Sequence, residues 1–342
     1  MTKNSRRTIL IPDRLSTPPD VEQEALGSGF EILTPCAAHT SEISDEVWRA
    51  ADAVLAWHDL QFTDEVIRKL ERCKTIVRVG VGFDNVDLEA AGKNGIAVCN
   101  VPDYGTNDVA DHAMGLVLAL SRGIYAFSEK VRESSDTWQW DCAGELRRLN
   151  GSIMGIVGLG RIGTATAMRA KAFGMRVKFY DPYIADGQDK ALGVVRADSL
   201  FDLASQSDVV SFHTPLTEET RGMGDDSFFS HLKPGGIVIN TARGPVIQLD
   251  SIHTALRSGQ VRGAGLDVVE MEPPDPEHPL IKAWRSREEW IAYRLIITPH
   301  AAFFCEESYR EMRYKAALAA KCILNGEAPR NCVNQRWLMG AA

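Results

Sequence analysis

The sequence predicts an α/β protein with two domains, each built on a Rossmann-like or flavodoxin-like parallel β-sheet. Three observations support this prediction. The chain has 342 residues, which is longer than most chains that fold around a single hydrophobic core. Short apolar, β-branched runs alternate with helix-like segments, as in parallel sheets with crossover helices. The runs form two successive series, over residues 8–99 and 153–298. We therefore expect two sheets, with an active-site cleft between the two domains.

The strand predictions rest on β-branched and aromatic enrichment between turn residues. The first series comprises TILI, AVLAW, TIVRV and IAVC, at residues 8–11, 53–57, 75–79 and 96–99. The second series comprises IMGIV, RVKFY, DVVSF, GIVIN, GAGLDV and RLIIT.

The domain boundaries follow from the segments around these series. Pro102 restricts the backbone, and residues 109–130 after it form an uninterrupted helix-like stretch. A further helix, over about residues 306–324, is expected to return to the first domain. The predicted substrate domain is residues 1–102 plus 302–342, and the predicted nucleotide domain is residues 103–301.

Composition and charge disfavour several functional classes. The longest apolar stretch, Met114 to Leu120, is too short to span a bilayer, and the N-terminus lacks a secretory signal core. We expect a cytoplasmic protein without membrane contact. The net charge of −8 disfavours direct binding of nucleic acid. Seven scattered cysteines without a C-x-x-C pair predict reduced thiols and no metal site.

A glycine-rich loop predicts the cofactor site. The run from Gly158 through Gly160 to Gly163 follows a predicted strand and opens a predicted helix, the context of a dinucleotide fingerprint. The first glycine permits a tight turn, the second lets the backbone come close to the pyrophosphate, and the third allows close packing of the helix. Asp181 ends the next strand, where its carboxylate would accept hydrogen bonds from ribose hydroxyls. The alternative is an aspartate that closes the turn before Pro182. The combination predicts NAD rather than NADP.

Catalytic candidates stand at the carboxyl ends of the second series, the edge at which parallel sheets bind ligands. Reduction of a 2-oxo acid needs a cation for the carboxylate and carbonyl and a proton donor, and Arg243 and His300 fit these roles. A carboxylate beside the histidine would hold its tautomer, and spacing leaves both Glu272 and Glu270 as candidates. Each residue also has an ordinary structural use, in a turn or a surface ion pair. His213 is expected to be structural or at the cofactor edge.

Six motifs, taken in order, make the sequence similar to the D-isomer-specific 2-hydroxyacid dehydrogenase family: VGLGRIG, FYDPY, HTPLTEETRGM, INTARGPVI, GAGLDVVEMEPP and ITPHAA. Further segments, among them RVGVGFDNVD and FYDPYIADG, resemble its C-terminal binding protein branch of dehydrogenase-like corepressors. The resemblance covers nearly the whole chain. It implies a homodimer, hydride transfer that gives the D hydroxy acid, and a catalytic trio of Arg243, Glu272 and His300, because the family's acid directly precedes the proline.

The resemblance also implies that the Gly80-Val81-Gly82 backbone holds the substrate carboxylate. Phe303 stands where the corepressors carry tryptophan, so it offers an apolar wall without an indole N–H. The substrate-binding candidates are Trp57, His58, Arg78, Val81, Gly82, Phe303 and Met312. The cofactor-binding candidates are Thr106, Gly158, Gly160, Arg161, Ile162, Gly163, Asp181, Thr214, Pro215, Thr241, Ala242 and Asp267.

Two functions of different class fit these features. The first is an NAD-dependent dehydrogenase acting on a small 2-oxo or 2-hydroxy acid, which the intact trio beside a fingerprint favours. The second is an NAD(H)-sensing dimeric scaffold in the manner of the corepressors. Residues 275–289, rich in proline and charge, are expected to form a surface insertion. Residues 278–295 make the segment between the acid and the histidine longer than in ordinary family members, and they are expected to shape substrate entry or a dimer edge.

Overall fold

In the computed structural model the chain divides into two compact units, Met1–Gly105 with Cys305–Ala342 and Thr106–Phe304. The structure describes residues 6–13, 15 and 17–338, so the outermost parts of the predicted substrate domain, 1–5 and 339–342, lie outside the described residues. Each unit contains one parallel sheet, which confirms the predicted α/β class. No helix in the described part of the chain is long and apolar enough to cross a membrane.

The first unit is built on a five-stranded parallel sheet in the order β2-β1-β3-β4-β5. Its strands are β1 (Arg7–Leu10), β2 (Phe30–Leu33), β3 (Ala53–Ala56), β4 (Thr75–Arg78) and β5 (Ala97–Asn100). Its helices between strands are α1 (Asp20–Leu26), α2 (Asp45–Ala50), α3 (Asp64–Arg68) and α4 (Leu88–Lys93). Every residue of β3, β4 and β5 is buried, as in parallel sheets covered on both faces. The edge strand β2 was missed because only Phe30 is buried.

The second unit is built on a seven-stranded parallel sheet in the order β12-β11-β10-β9-β6-β7-β8. Its helices are α5 (Thr106–Ser121), α6 (Ile124–Glu133), α7 (Arg161–Ala172), α8 (Gln188–Leu192), α9 (Leu200–Gln206), α10 (Asp226–His231), α11 (Leu249–Ser258) and α12 (Pro279–Arg285). Its strands are β6 (Ile153–Val157), β7 (Arg176–Tyr180), β8 (Val195–Arg196), β9 (Val209–Phe212), β10 (Gly236–Asn240), β11 (Val261–Leu266) and β12 (Leu295–Ile297).

Two apolar clusters cover opposite faces of this larger sheet. Along β10, Ile237 and Ile239 belong to one cluster and Val238 to the other, because neighbouring side chains of a strand point to opposite faces. Helices α5 and α7 contribute to the first cluster, and α9, α10 and α11 to the second. With both faces covered, the polar residues that follow the strands are left at the sheet's carboxyl edge.

Two local predictions in this unit were wrong. The helix expected over residues 109–130 is interrupted, because Gly123 adopts a φ of +65° between α5 and α6. The apolar spacing continues through this break, so the sequence pattern concealed it. Residues 275–289 are not only a surface insertion, since α12 buries Leu280 and Ile281 in the core of the unit.

The last helices return to the first unit. They are α13 (Glu306–Leu324) and α14 (Gln335–Leu338), and α13 has the bounds predicted for the returning helix. A buried ion pair fixes α13 against α1, with Arg313 Nη2 2.7 Å from Glu22 Oε2 and both side chains almost fully enclosed. Removing Arg313 would leave the Glu22 carboxylate buried and unpaired, at a cost of about 3–5 kcal/mol.

Candidate active site

The glycine loop between β6 and α7 has the geometry that a pyrophosphate requires. Gly158 adopts a φ of +89°, a left-handed conformation that favours glycine. A Cβ on Gly163 would lie 2.0 Å from the Gly158 carbonyl oxygen, so the loop and helix pack too closely for a side chain. At Gly160 no described atom beyond its chain neighbours lies within 4 Å of the Cβ position, which leaves open space beside the helix N-terminus.

Asp181, directly after β7, is tied to this loop. Its Oδ2 accepts a hydrogen bond of 2.9 Å from the Leu159 backbone N–H, and its Oδ1 accepts one of 3.0 Å from Tyr183. The carboxylate thus fixes the glycine loop and also closes the turn that sequence analysis had left as the alternative role. These two hydrogen bonds hold a negative charge beside the glycine loop. Dinucleotide-binding folds recognise the ribose hydroxyls at this position.

The strands next to this loop end in polar atoms that suit a bound ligand. The Oγ1 atoms of Thr214, after β9, and Thr241, after β10, are buried without a hydrogen-bond partner among the residues that the structure describes. Buried polar atoms are usually satisfied, so these two fit hydrogen bonds to a cofactor. Pro215 lies beside Thr214, and its carbonyl accepts from Thr220 Oγ1 at 2.6 Å. Thr106 is the first residue of α5.

His213 lies in the same row, but its chemistry differs from that of an acid catalyst. Its Nε2 is 2.9 Å from Ser211 Oγ, and burial lowers the pKa of His213 to about 3. A group with this pKa is neutral at physiological pH and cannot donate a proton as an imidazolium ion.

Arg243 stands on a tight turn that follows β10. The fully buried Asn240 closes the turn, since its Oδ1 accepts from Ala242 N–H and its Nδ2 donates to the Arg243 carbonyl, both at 3.0 Å. A Cβ on Gly244 would lie 1.8 Å from the Val269 carbonyl oxygen. The arginine turn therefore packs directly on the backbone that leads from β11 to Glu272.

Asp267, the residue after β11, anchors the loop that carries His300. The carboxylate is 2% exposed and accepts hydrogen bonds from Ala301 N–H (2.8 Å), Ala302 N–H (2.9 Å) and Thr298 Oγ1 (2.6 Å). His300 itself has a φ of +52°, which costs a non-glycine residue about 1–2 kcal/mol. These hydrogen bonds offset that strain and hold the backbone on both sides of His300.

The imidazole of His300 is paired with Glu272. Its Nδ1–H donates to Glu272 Oε2 at 2.8 Å, and the two side chains are 30% and 35% exposed. The other carboxylate oxygen accepts from Val269 N–H at 3.2 Å. Because the carboxylate holds the proton on Nδ1, Nε2 is the ring nitrogen that can exchange a proton with a ligand. Glu270 faces elsewhere and accepts from the Leu249 N–H at the start of α11, at 2.7 Å.

The first unit places Trp57 and His58 on a short loop held from two directions. The buried Asp13 carboxylate accepts from Trp57 N–H (3.0 Å) and Leu60 N–H (3.1 Å), and Asn85 Nδ2 donates to the carbonyls of the same two residues at 2.8 Å. Burial raises the pKa of Asp13. Trp57 also packs against Tyr309, with ring centroids 5.7 Å apart.

Arg78 and the Gly80–Gly82 loop lie together at the end of β4. The buried Arg78 guanidinium donates to the Val79 carbonyl, and a Cβ on Gly80 would lie 2.5 Å from Arg78 Nη1. Asn100 Nδ2 holds the loop through the Val81 carbonyl at 2.6 Å. Met312 is buried on α13 in this unit. Phe303 belongs to the second unit, where it forms an edge contact with Phe304.

These geometries agree with a match between the sequence and a known family. Residues 114–302, more than half of the chain, match the profile of the D-isomer specific 2-hydroxyacid dehydrogenase NAD-binding domain. The chain belongs to the D-isomer specific 2-hydroxyacid dehydrogenase family. The match spans the glycine loop and the residues from Asp267 to His300, and it confirms the predicted nicotinamide dinucleotide cofactor. The choice of NAD over NADP stays a prediction.

Relatives of different function share this family resemblance. The chain is 36% identical to D-3-phosphoglycerate dehydrogenase of Methanocaldococcus jannaschii over 95% of its length and 59% of the relative. It is 35% identical to C-terminal-binding protein 1 of Caenorhabditis elegans, over 89% of its length and 42% of the relative. The chain thus spans about half the length of these curated relatives. The solved structure of Aquifex aeolicus D-lactate dehydrogenase, complexed with NAD and lactic acid, superimposes with a TM-score of 0.80 at 29% identity, covering 98% of both chains.

Sequence reasoning missed the residues that support the family's candidate site. Asp13 and Asn85 were not identified, and Asp267 was assigned only to the cofactor, although its carboxylate anchors the His300 loop. One signal was available for both aspartates, since each lies near the carboxyl end of a predicted strand. Asn85 carries no such signal.

Proposed function

We propose that the protein is an NAD-dependent oxidoreductase that interconverts a small 2-oxo acid and the corresponding D-2-hydroxy acid. The observation that supports this most directly is the 2.8 Å hydrogen bond between His300 Nδ1 and Glu272 Oε2, on the sheet edge that also carries the glycine loop. Arg243 stands on the turn that packs against the backbone before Glu272. A proton donor, its orienting carboxylate and a cation are thereby available at one edge.

Each residue of the trio has a distinct role in this proposal. The Arg243 guanidinium binds the substrate carboxylate and polarises the carbonyl oxygen. His300 Nε2 donates the proton to that oxygen, and Glu272 stabilises the imidazolium form and its orientation. In the reverse direction His300 accepts the hydroxyl proton. Bound NADH supplies the hydride for reduction, and bound NAD⁺ accepts it in oxidation.

The cofactor would be held by the loop and strand ends of the second unit. The backbone of Gly160, Arg161 and Ile162 opens α7 toward the pyrophosphate, and Asp181 receives the ribose hydroxyls. Thr214 and Thr241 contribute buried hydroxyls. Pro215 and Ala242, the residues that follow them in the chain, are also expected to contact the cofactor. The roles proposed for Trp57, His58, Arg78, Val81, Gly82, Phe303 and Met312 in substrate binding, and assembly as a homodimer, stay predictions.

The test is NADH oxidation by the purified protein with a panel of 2-oxo acids of graded size and polarity. We expect turnover with at least one acid and a loss of about 100-fold or more in kcat for His300→Ala, the scale of general acid catalysis. The matched control is His231→Ala, which removes an exposed histidine of α10 and should leave kcat unchanged. Equal turnover in wild type and His300→Ala would contradict the proposed role.

A second candidate is an NAD(H)-responsive binding protein, which the 35% identity to C-terminal-binding protein 1 favours. Under this alternative NADH binds tightly, no 2-oxo acid is reduced, and NADH changes the assembly state. Sedimentation with and without NADH, on the same preparation used for the turnover panel, separates the two candidates.

A further inference from the structure

Helix α5 packs closely on strand β11, because two residues of the strand are glycines. A Cβ on Gly265 would lie 2.9 Å from Leu116 Cβ, and a Cβ on Gly263 would lie 3.2 Å from Leu120 Cδ2. Alternate strand residues face one side of a sheet, and helix residues four apart share one face. Two strand residues advance about 6.6 Å and four helix residues about 6 Å, so the two rows stay in register.

The next step of this row pairs His112 of α5 with Asp267, the residue after β11. The His112 side chain is 26% exposed, and its Nε2 lies 3.1 Å from Thr298 Oγ1 and 3.8 Å from Asp267 Oδ1. Only the first of these distances is that of a hydrogen bond. Thr298 directly follows β12 and is 186 residues from His112 in the chain, so the contact joins the first helix of the unit to its last strand.

The direction of each hydrogen bond follows from the contact between Thr298 and Asp267. An ionised carboxylate only accepts hydrogen bonds, so the single hydroxyl proton of Thr298 is donated to Asp267 Oδ1, at 2.6 Å. The hydroxyl oxygen can then only accept, and His112 Nε2 must carry the proton that it receives. His112 thus donates to Thr298, and Thr298 to Asp267. The carboxylate also accepts from the N–H groups of Ala301 and Ala302, at 2.8 and 2.9 Å.

This series of hydrogen bonds ends at the strained part of the His300 loop. His300 has a φ of +52°, and Ala301 and Ala302 directly follow it. Hydrogen bonds linked in series polarise and strengthen one another, so a donor at one end affects the bonds at the other. Without the His112 donor, the Thr298 hydroxyl loses one of the two side chains that orient it. A shift of about 1 Å in a catalytic group costs about 100-fold in rate, so small losses of support here affect the reaction.

We propose that His112 is a positioning residue for His300, which it supports through the Thr298 hydroxyl and the Asp267 carboxylate. This role rests on the function proposed above, in which His300 exchanges the proton with the substrate. His112 takes no part in that proton transfer. What the role requires is a hydrogen-bond donor at the position of Nε2, and neither a charge nor a base.

The test compares His112→Leu, which removes the donor, with His112→Gln, whose amide N–H replaces it. We expect His112→Leu to lower kcat for NADH oxidation by about threefold to tenfold, the range of one hydrogen bond, and to leave KM for NADH within about twofold of wild type. His112→Gln should keep at least about half of the wild-type kcat. The matched control is His231→Leu, which removes an exposed histidine of α10 and should change neither constant.

A double-mutant cycle with Thr298→Val tests the path from His112 to Asp267. Valine has nearly the shape of threonine but lacks the hydroxyl that joins the two residues. If His112 acts through that hydroxyl, adding His112→Leu to Thr298→Val should change kcat by less than about twofold. Full multiplication of the two single effects would overturn the path.

Hydrogen exchange over residues 298–302 separates a failure of this inference from a failure of the proposed function. Whether or not a 2-oxo acid is reduced, we expect His112→Leu to accelerate exchange of the Ala301 and Ala302 amides by about threefold to tenfold, and His112→Gln to leave it unchanged. Accelerated exchange in a protein without turnover would support the positioning of the loop and contradict the proposed reaction. Exchange and kcat that are equal in wild type, His112→Leu and His112→Gln would overturn the positioning role and leave the proposed reaction intact.

Discussion

Each unit holds a loop of candidate site residues with a buried aspartate, but in the first unit a second side chain binds the same stretch of backbone. In the first unit, residues 57–60 are fixed by two side chains, because Asp13 binds the loop's N–H groups and Asn85 binds its carbonyls. In the second unit, the N–H groups of Ala301 and Ala302 and the Thr298 hydroxyl all donate to one carboxylate, that of Asp267. The second loop also carries His300 in a left-handed conformation. We therefore expect the second loop to be the more sensitive to a single substitution.

The largest effect is expected for Asp267→Ala. The change leaves the N–H groups of Ala301 and Ala302 without their acceptor, and each unsatisfied buried group costs about 1–3 kcal/mol. The Thr298 hydroxyl also loses Asp267 and keeps only His112 Nε2, at 3.1 Å. Because His300 is displaced when its loop relaxes, kcat for NADH oxidation should fall about 100-fold. Hydrogen exchange over residues 298–302 should accelerate.

The control for this prediction is Asp225→Ala in the same unit. Asp225 caps α10 by accepting from Phe228 N–H at 2.8 Å, so its loss should cost about 1 kcal/mol and leave kcat unchanged. An Asp267→Ala protein that retains wild-type kcat would show that the loop does not depend on one carboxylate, and the contrast between the units would disappear.

The sequence predicted the sheets well because their strands are short buried runs with a local signature. Residues 153–157, 176–180 and 236–240 have the predicted bounds, since each is bordered by turn residues and is apolar along most of its length. Strand β8 has only two residues, one of them exposed, so it carries no recognisable pattern. The break at Gly123 is hidden because one glycine inside an apolar repeat does not by itself predict a helix end.

The candidate site was less predictable because its supporting contacts join distant parts of the chain. Asp13 binds a loop 44 residues away, and Asn85 binds the same loop from 28 residues away. Spacing also left Glu270 and Glu272 equivalent. They differ in three dimensions, where Glu270 accepts from the start of α11 and Glu272 from His300. The two glutamates are therefore distinguished only by the folded backbone, which brings Glu272 and not Glu270 to His300.

An intermediate effect is expected for Asp13→Ala in the first unit. The N–H groups of Trp57 and Leu60 lose their acceptor, but Asn85 still holds both carbonyls, so we expect about 2–3 kcal/mol of local destabilisation. Hydrogen exchange should accelerate over residues 53–62 and remain unchanged over 298–302. We expect kcat to fall less than in Asp267→Ala.

The matched control is Asp45→Ala on α2, whose exposed carboxylate lies in surface ion pairs with Lys69 and Arg49 and should contribute less than about 1 kcal/mol. The contrast between the units would be wrong if Asp13→Ala reduced kcat as strongly as Asp267→Ala, since Asn85 would then provide no redundancy.

The smallest effect is expected for the dependence of stability on pH. The first unit contains a buried acid, Asp13, and the second a buried base, His213, so the two units should respond to pH in opposite directions. The raised pKa of Asp13 means that the folded first unit binds a proton more tightly than the unfolded chain does. Its contribution to stability is therefore lost as pH rises from 3.8 through the folded pKa. His213 has a folded pKa of about 3 against 6.5 when unfolded, so the second unit loses stability as pH falls from 6.5 toward 3.

We expect the opening free energy of the second unit, measured by hydrogen exchange, to fall by up to about 2 kcal/mol between pH 7 and pH 5 through His213 alone. In His213→Gln this acid-dependent loss should shrink, because glutamine cannot be protonated in the unfolded chain. Exchange in the first unit should follow the same pH dependence in both proteins. An unchanged acid response in His213→Gln would mean that His213 is not kept neutral by burial, and the opposition between the two units would rest on Asp13 alone.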